Sequence, residues 1–425
     1  MQHMKRRKRM SAILLVVSLL AFVFLGSVLA GCGEDTTTTA PATETTAGET
    51  ATTAGETATT AGGDGEALVI GAALGLVGDA APGDVPFAEA LEYAVDAINK
   101  TGGIAGHPVE LVVKDIKSDP ALGATVAKEL LDGGAQIIIG PAFPGMGAGV
   151  VQTAAKAGVP VLCGTSTQPE YVVIGGTKAY MLAFGDNVQA AAAAEYALAQ
   201  GYKTVYTLVS PDLSYTERLP EFFAATFENG GGQVVGTDNF SIGQQDFAAQ
   251  VTKIAALNPA PDVVYTGMFP PDVAVFVKQL RAAGVESVLI GADGCDQQPL
   301  IDFAGVDAEG IVFSTHGFPT EGSAFKAFID GLTGFQGKAP DAPALASLGG
   351  DAMDIIVAAV EAAGSIDPKA IGAALENLEN VDVVNGTMTY KGTNGVPQKT
   401  VAVVAVENGA FVLKDQMVPS FIPEP

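Results

Sequence analysis

The stretch VPVLCGTSTQPEY at 159–171 is apolar up to Cys163 and hydroxylated immediately after it. A continuously apolar run of strand length fits a parallel sheet covered on both faces, because no side of such a strand is left for water. In a doubly wound sheet, ligands collect beyond the carboxyl ends of the strands. Thr165, Ser166 and Thr167 stand at that end, so their hydroxyls and backbone N–H groups are candidates to hold a small carboxylate. The same residues also suit a turn that caps the next segment, which Pro169 permits.

Outward from this stretch, apolar runs alternate with segments of helical period. ALVIGAAL (67–74) precedes PFAEALEYAVDAINKTGG, in which Pro86 suits a first helical position and Phe87, Leu91, Ala94, Val95 and Ile98 share one face. VELVVKD (109–115), a helix from Pro120, AQIIIG (135–140) and a helix near 145–158 follow. After about Asp186 the alternation restarts with KTVYTLVS (203–210), DVVYTG (262–267) and SVLIGAD (287–293). Two successive α/β lobes are the simplest account, and a body of roughly 350 residues suits two cores better than one.

The N-terminus sets the compartment. KRRKR at 5–9, the apolar run SAILLVVSLLAFVFLGSVLA at 11–30 and Leu29-Ala30-Gly31-Cys32 read as an export signal with small residues at the cut. Left uncleaved, the apolar run is long enough to span a bilayer, and either way the rest lies outside the cytoplasm. From Gly33 to Glu66 the chain is nearly all Thr, Ala, Gly and Glu, repeating ETTAGET and ATTAGET without a large apolar residue. Its heptad spacing lacks the Leu or Ile of a coiled coil, so the segment reads as a disordered tether of r.m.s. span roughly 30 Å. The chain carries 22 basic and 47 acidic residues, and losing the five cations at 5–9 takes the net charge from −25 to −30. Such a surface excludes nucleic acid as a partner.

Several segments carry a family resemblance. GGIAGHPVELVVKDIKSDPA (102–121), IIIGPAF (137–143), VPVLCGTSTQPEY and GDAMDIIVAAVEAAGS (350–365) resemble those of the branched-chain amino acid type of periplasmic binding protein, the solute receptors of ABC importers. The resemblance spans nearly all of 67–415. It implies a type I fold, two doubly wound α/β lobes joined by a three-crossover hinge, with residues 67–187 and 316–391 in lobe one and 188–315 and 392–425 in lobe two. Residues 1–31 would be a lipoprotein signal peptide, with Leu-Ala-Gly-Cys resembling a lipobox, and 32–66 the tether. A lipid on Cys32 would then anchor the chain to the extracytoplasmic face of the cell membrane, beside an ABC permease. Within the cleft, Thr165 and Thr167 match the family's carboxylate-binding positions, and Tyr215 and Asp293 match its tyrosine and acidic ligands. Asp293 ends a strand, where a free carboxylate would hold an ammonium group, and Tyr215 offers a ring face and a hydroxyl. Read without the family, Asp293 also suits a cap near Gln297, and Tyr215 also suits the core.

The departures narrow the ligand. PAFPGMG places Pro144 where the family often has serine, removing a hydroxyl and an N–H, although the amides of Gly145, Met146 and Gly147 remain as a helix start able to take an anion. GLVGDAAPGD lacks the first-loop tyrosine of some members. Phe143, Met146, Met268 and Phe269 fall at strand ends and offer an apolar wall. An amino acid with an apolar side chain is therefore the leading ligand, with a small carboxylic acid lacking an amine as the alternative and a sensor uncoupled from transport as a further one.

Enzyme signatures are missing from the sequence. GTSTQ is not a G-x-S-x-G elbow, GAALGLVG has no Lys-Ser or Lys-Thr after it, and no paired-His zinc motif occurs. No cofactor or metal is expected. Cys163 adjoins an apolar strand and reads as a small core residue rather than a nucleophile paired with His316. Cys163 and Cys295 are expected as free thiols.

Overall fold

Five apolar runs form the first sheet. β1 (Leu68–Leu74), β2 (Val109–Asp115), β3 (Ile137–Gly140), β4 (Val161–Cys163) and β5 (Ala179–Met181) pair in the order β2-β1-β3-β4-β5, all parallel. These coordinates are a computed structural model that describes residues 65–176 and 179–424. The export segment, Cys32 and nearly all of the tether lie outside the described residues.

Strand alternation sorts the side chains of this sheet into two cores. Ile137, Ile139 and Leu162 join Phe87, Leu91 and Val95 of α1 (Ala81–Lys100) on one face. Ile138, Val161 and Cys163 join the opposite face with residues of α2 (Gly123–Asp132), α3 (Pro144–Ala157) and α4 (Glu170–Gly175). This two-sided burial is why the strands carry no polar alternation. The α1 helix begins earlier than its sequence indicates. Pro82 occupies the first turn, and Pro86 lies inside the helix, where its missing N–H forgoes one bond to the Pro82 carbonyl. Conversely α2 begins later than expected, at Gly123 and not at Pro120.

The second sheet repeats the design. β6 (Thr204–Val209), β7 (Gln233–Asn239), β8 (Val263–Thr266), β9 (Val288–Gly291) and β10 (Val312–Thr315) are parallel, in a seven-stranded order β15-β14-β10-β9-β8-β6-β7. The late strand β14 (Val401–Glu407) adds antiparallel to β10, and β15 (Ala410–Met417) pairs antiparallel with β14. On one face pack α5 (Asp186–Ala199) and α6 (Ser214–Asn229), where Ala190, Ala193, Ala194 and Ala197 meet Phe223 and Phe227. The other face is covered by α7 (Ala248–Ala255), α8 (Asp272–Ala282) and α9 (Gln298–Ala304).

After β10 the chain returns to lobe one through α10 (Ala324–Gln336), α11 (Pro343–Ala363) and α12 (Pro368–Asn377). Ser323 caps α10 by accepting from the Lys326 N–H, and Asp367 caps α12 through Lys369 and Ala370. Ile355, Ile356, Ala359 and Val360 of α11 complete the first core beside α1. A small sheet of β11 (Val381–Val383), β12 (Gly386–Thr389) and β13 (Gln398–Lys399) follows. Because β13 pairs with β12, the third passage between the sheets comes after Lys399, later than the 391/392 division expected from sequence.

The three passages are bound to one another. The Lys399 ammonium donates to the Leu182 carbonyl of the first passage at 2.9 Å and pairs with Asp351 of α11, both charged side chains being wholly buried. Phe184 of the first passage stacks on His316 of the second, with ring centroids 4.1 Å apart.

Candidate functional site

One carboxylate organises the strand ends of lobe one. Asp84, in the first turn of α1, is fully buried. Its Oδ2 accepts from the N–H groups of Gly75 (2.8 Å) and Ala142 (3.3 Å), and its Oδ1 from the Thr165 hydroxyl (3.2 Å). The segments after β1, β3 and β4 thus meet on one side chain. Burial pushes its pKa up to about 7, against the three hydrogen bonds that favour the charged form.

Thr165, Ser166 and Thr167 are 7, 2 and 6 % exposed. Ser166 Oγ accepts from the Gln168 N–H at 3.3 Å, so this hydroxyl serves the local turn. The Thr167 carbonyl accepts from the Asp186 N–H at 2.6 Å, and the Thr167 hydroxyl bonds the Asp186 carboxyl. Asp186 opens α5, so the hydroxylated stretch sits directly on the first passage between the lobes.

From there a polar chain runs to Asp293. Gln189, one turn into α5, donates through Nε2 to Asp186 Oδ1 (3.0 Å) and to Asp293 Oδ1 (2.8 Å). Its Oε1 accepts from the Asp293 N–H (3.1 Å) and the Ser314 hydroxyl (2.9 Å). The Tyr215 hydroxyl donates to Asp293 Oδ1 at 2.8 Å and accepts from the Gly294 N–H at 3.0 Å. His316 Nε2 lies 3.4 Å from Asp293 Oδ2, an ion-pair separation without a hydrogen bond, and both ring nitrogens lack a hydrogen-bond partner among the described residues.

The two carboxyls that share Gln189 have opposite electrostatic fates. Burial, reinforced by the nearby Asp293 charge, pushes the Asp186 pKa well above the carboxylate range and favours its protonated form. Burial also pushes Asp293 up, but His316, Gln189 and Tyr215 outweigh it and keep this carboxyl below its usual value. Burial lowers the His316 pKa, while the Asp293 carboxylate beside it pulls the other way and favours the proton that in turn stabilises Asp293. A charged carboxylate therefore stands at the end of β9 beside His316, with Oδ2 taking no hydrogen bond among the described residues.

The sequence-read candidates divide. Thr167, Tyr215 and Asp293 are brought into one connected network, while Thr165 belongs to a separate one centred on Asp84. Phe269 joins the first: a Cβ added to Gly294 would stand 3.0 Å from the Tyr215 hydroxyl and 3.3 Å from Phe269 Cβ, so only glycine leaves both in place. Met268 does not. It is buried in the lobe-two core with Val273, Phe276 and Cys295, two residues beyond the end of β8, while Phe269 is only half-buried. Phe143 is 40 % exposed at the start of α3, and Met146 packs partly on the lobe-one core. The anion cradle expected at α3 is reduced, since the Met146 and Gly147 N–H groups already donate to the Phe143 carbonyl. Only the Gly145 amide stays open. Cys163 and Cys295 are buried thiols; burial pushes the first well above its normal range and the second to about 12, which removes any nucleophilic role at neutral pH.

Gln189, Asp186 and Asp84 were not read from sequence as site residues, and His316 was considered only as a partner of Cys163 and set aside. A signal existed for two of them, because DNVQAAAAAEYALA is an alanine-rich buried helix whose first turn alone carries Asp and, one turn on, Gln.

A family model described as periplasmic binding protein matches residues 67–410. The chain belongs to the type I periplasmic binding proteins of the branched-chain amino acid type. This binding protein is 26 % identical to Leu/Ile/Val-binding protein homolog 3 of Brucella melitensis over 346 residues, covering 81 % of this chain and 93 % of that one. Among solved structures, a leucine binding protein LivK from Thermotoga maritima shares 29 % identity and superposes with a TM-score of 0.69, covering 83 % of this chain and 99 % of that one. A solute binding protein of an ABC transporter from R. palustris, solved in complex with benzoate, superposes with a TM-score of 0.66 at 22 % identity, covering 84 % and 98 % of the two chains. That last likeness concerns the fold alone. The binding protein's family is one of solute receptors rather than enzymes.

Proposed function

We propose that this protein is a lipid-anchored extracytoplasmic receptor that closes on an apolar amino acid and presents it to an ABC importer. The observation that carries the reading is Asp293: a charged carboxylate at a strand's carboxyl end, ringed by Tyr215, Gln189 and His316, with Oδ2 free of hydrogen bonds among the described residues. An ammonium group is the complement of such a carboxylate. A protonated Asp186 carboxyl can donate to the Thr167 hydroxyl, which then keeps its own proton for the ligand's carboxylate beside the Gly145 amide, and Phe269, Tyr215 and Phe143 are left for its side chain. The Leu/Ile/Val-binding relative supports this ligand class.

The arrangement also supports closure. Ser214 at the start of α6 in lobe two donates to Glu170 of α4 in lobe one at 2.7 Å, a hydrogen bond that exists only with the lobes together. A zwitterion whose two ends need different lobes binds the closed state better than the open one, which is what shifts the equilibrium. Anchoring at Cys32 rests on the Leu-Ala-Gly-Cys motif and is tested by mass spectrometry of the mature N-terminal peptide.

The second reading, a small carboxylic acid without an amine, draws on Pro144 and on the benzoate-bound neighbour. Calorimetry on two variants separates them. Loss of one charged hydrogen bond in a closed site costs roughly 1.5 to 3 kcal/mol, or about ten- to a hundredfold in affinity. Asp293→Asn should weaken L-leucine by that factor and leave its deaminated analogue 4-methylpentanoate unchanged, while Thr167→Ala weakens both. Leucine binding that survives Asp293→Asn refutes the ammonium assignment and leaves the acid.

A further inference from the structure

We infer that Asp84 sets the polarity of the lobe-one half of the ligand site by holding the hydroxyl proton of Thr165, so that Thr165 receives an N–H from the ligand instead of donating to its carboxylate. The inference deepens the amino acid reading above and rests on Thr165 facing the ligand.

The hydrogen-bond inventory leads to it. A threonine hydroxyl has one proton and two lone pairs. With Asp84 ionised, as it is above about pH 7, Thr165 spends its proton on Asp84 Oδ1 at 3.2 Å, and no other described residue bonds this hydroxyl. Asp84 has no freedom to turn away, because its Oδ2 is the acceptor for two backbone N–H groups, Gly75 and Ala142, that are buried with it. Space beside the hydroxyl is kept by Gly83, whose absent Cβ would lie only 3.3 Å from Thr165 Oγ1. Two lone pairs are therefore presented with no proton to soften them. They repel a carboxylate and suit an ammonium or amide N–H. The carboxylate contact expected for Thr165 from its sequence position is replaced by an ammonium contact, placing acceptors for the same group on both lobes, Thr165 on one and Asp293 on the other. Asp84 is a positioning residue: it acts on the ligand only through Thr165.

The test exploits the near-identical shapes of aspartate and asparagine. In Asp84→Asn the amide oxygen still takes the two backbone N–H groups, while the amide nitrogen faces Thr165 and donates to it, forcing the hydroxyl proton outward. Calorimetry at about pH 8.5, where Asp84 is ionised, with L-leucine and 4-methylpentanoate should show the affinity ratio of the two moving about tenfold towards the acid. In a Thr165→Val background the same substitution should leave the ratio unchanged, since no hydroxyl remains to be turned. An equal loss for both ligands in Asp84→Asn, or a shift that persists without the Thr165 hydroxyl, overturns the inference. Wild-type protein that binds 4-methylpentanoate but not leucine overturns the amino acid reading and this inference together. Wild-type protein that binds leucine, with an unchanged ratio in Asp84→Asn, overturns this inference alone.

Discussion

Replacing Lys399 by methionine tests what holds the hinge. Both Lys399 and Asp351 are fully buried, and the ammonium also satisfies the Leu182 carbonyl at 2.9 Å. Methionine keeps the length of the stem but leaves Asp351 with only the Asn385 backbone N–H (3.0 Å) and side-chain amide (2.9 Å), and strands the Leu182 carbonyl. Breaking a buried pair from one side typically costs about 3 to 5 kcal/mol, because the remaining charge stays out of water without its partner. Of this, the orphaned carbonyl contributes roughly 1 kcal/mol. The assay is urea unfolding at pH 7.5, following the first transition. The double variant Asp351→Leu, Lys399→Met removes both charges and should recover most of the loss, since apolar replacement of a whole pair is often neutral. A loss below about 1 kcal/mol in Lys399→Met, or a double variant as unstable as the single, would refute the reasoning.

Three further outcomes follow from the same geometry. Saturating L-leucine should lower the radius of gyration in solution scattering, and superimposable curves with and without it would contradict closure. Ser214→Ala should weaken leucine binding only a few-fold, because Glu170 is exposed and its bond with Ser214 is worth about 0.5 to 1 kcal/mol after solvent screening; a hundredfold loss would mean that Ser214 touches the ligand. Asp84 has a folded-state pKa of about 7 against 3.8 for the free side chain, so between those values the folded protein keeps a proton that the unfolded chain has released. Stability from this group is therefore present at low pH and falls as pH rises from about 4 to about 7, by up to roughly 4 kcal/mol, then levels off. The stability of wild type relative to Asp84→Asn should decline across that window, and a constant difference would contradict it.

The sheets were legible because their strands are buried on both faces, and a run such as IIIG at 137–140 admits few other readings. Other strands escaped: β5 and β10 are buried throughout but only three and four residues long, too short for an apolar run to stand out. β7 and β15 are edge strands with mixed, partly exposed sequences, and β14 follows a passage whose position depends on the pairing of β13 with β12. Pro86 was misleading for a local reason: its fixed φ suits a helix start, but Pro82 had already taken that place. Within the site, residues at strand ends could be read because a parallel sheet delivers them to one edge. Thr165, Thr167, Tyr215 and Asp293 were of this sort. Gln189 and His316 were not, since one is a helix residue reaching across the passage and the other owes its role to stacking on Phe184. Strand-end position also fails to give direction, as Met268 shows by turning inward beside Phe269.

The central claim is that the receptor reads both ends of a zwitterion, with Asp293 taking the ammonium. Calorimetry of unmodified protein with L-leucine, 4-methylpentanoate and 3-methylbutylamine, which share a side chain and differ in their charged groups, tests it most directly. Leucine should bind at least tenfold more tightly than either fragment, because each lacks one charged partner worth roughly 1.5 kcal/mol or more. If 4-methylpentanoate binds as tightly as leucine, the charge at Asp293 is not read by the ligand and the account is contradicted.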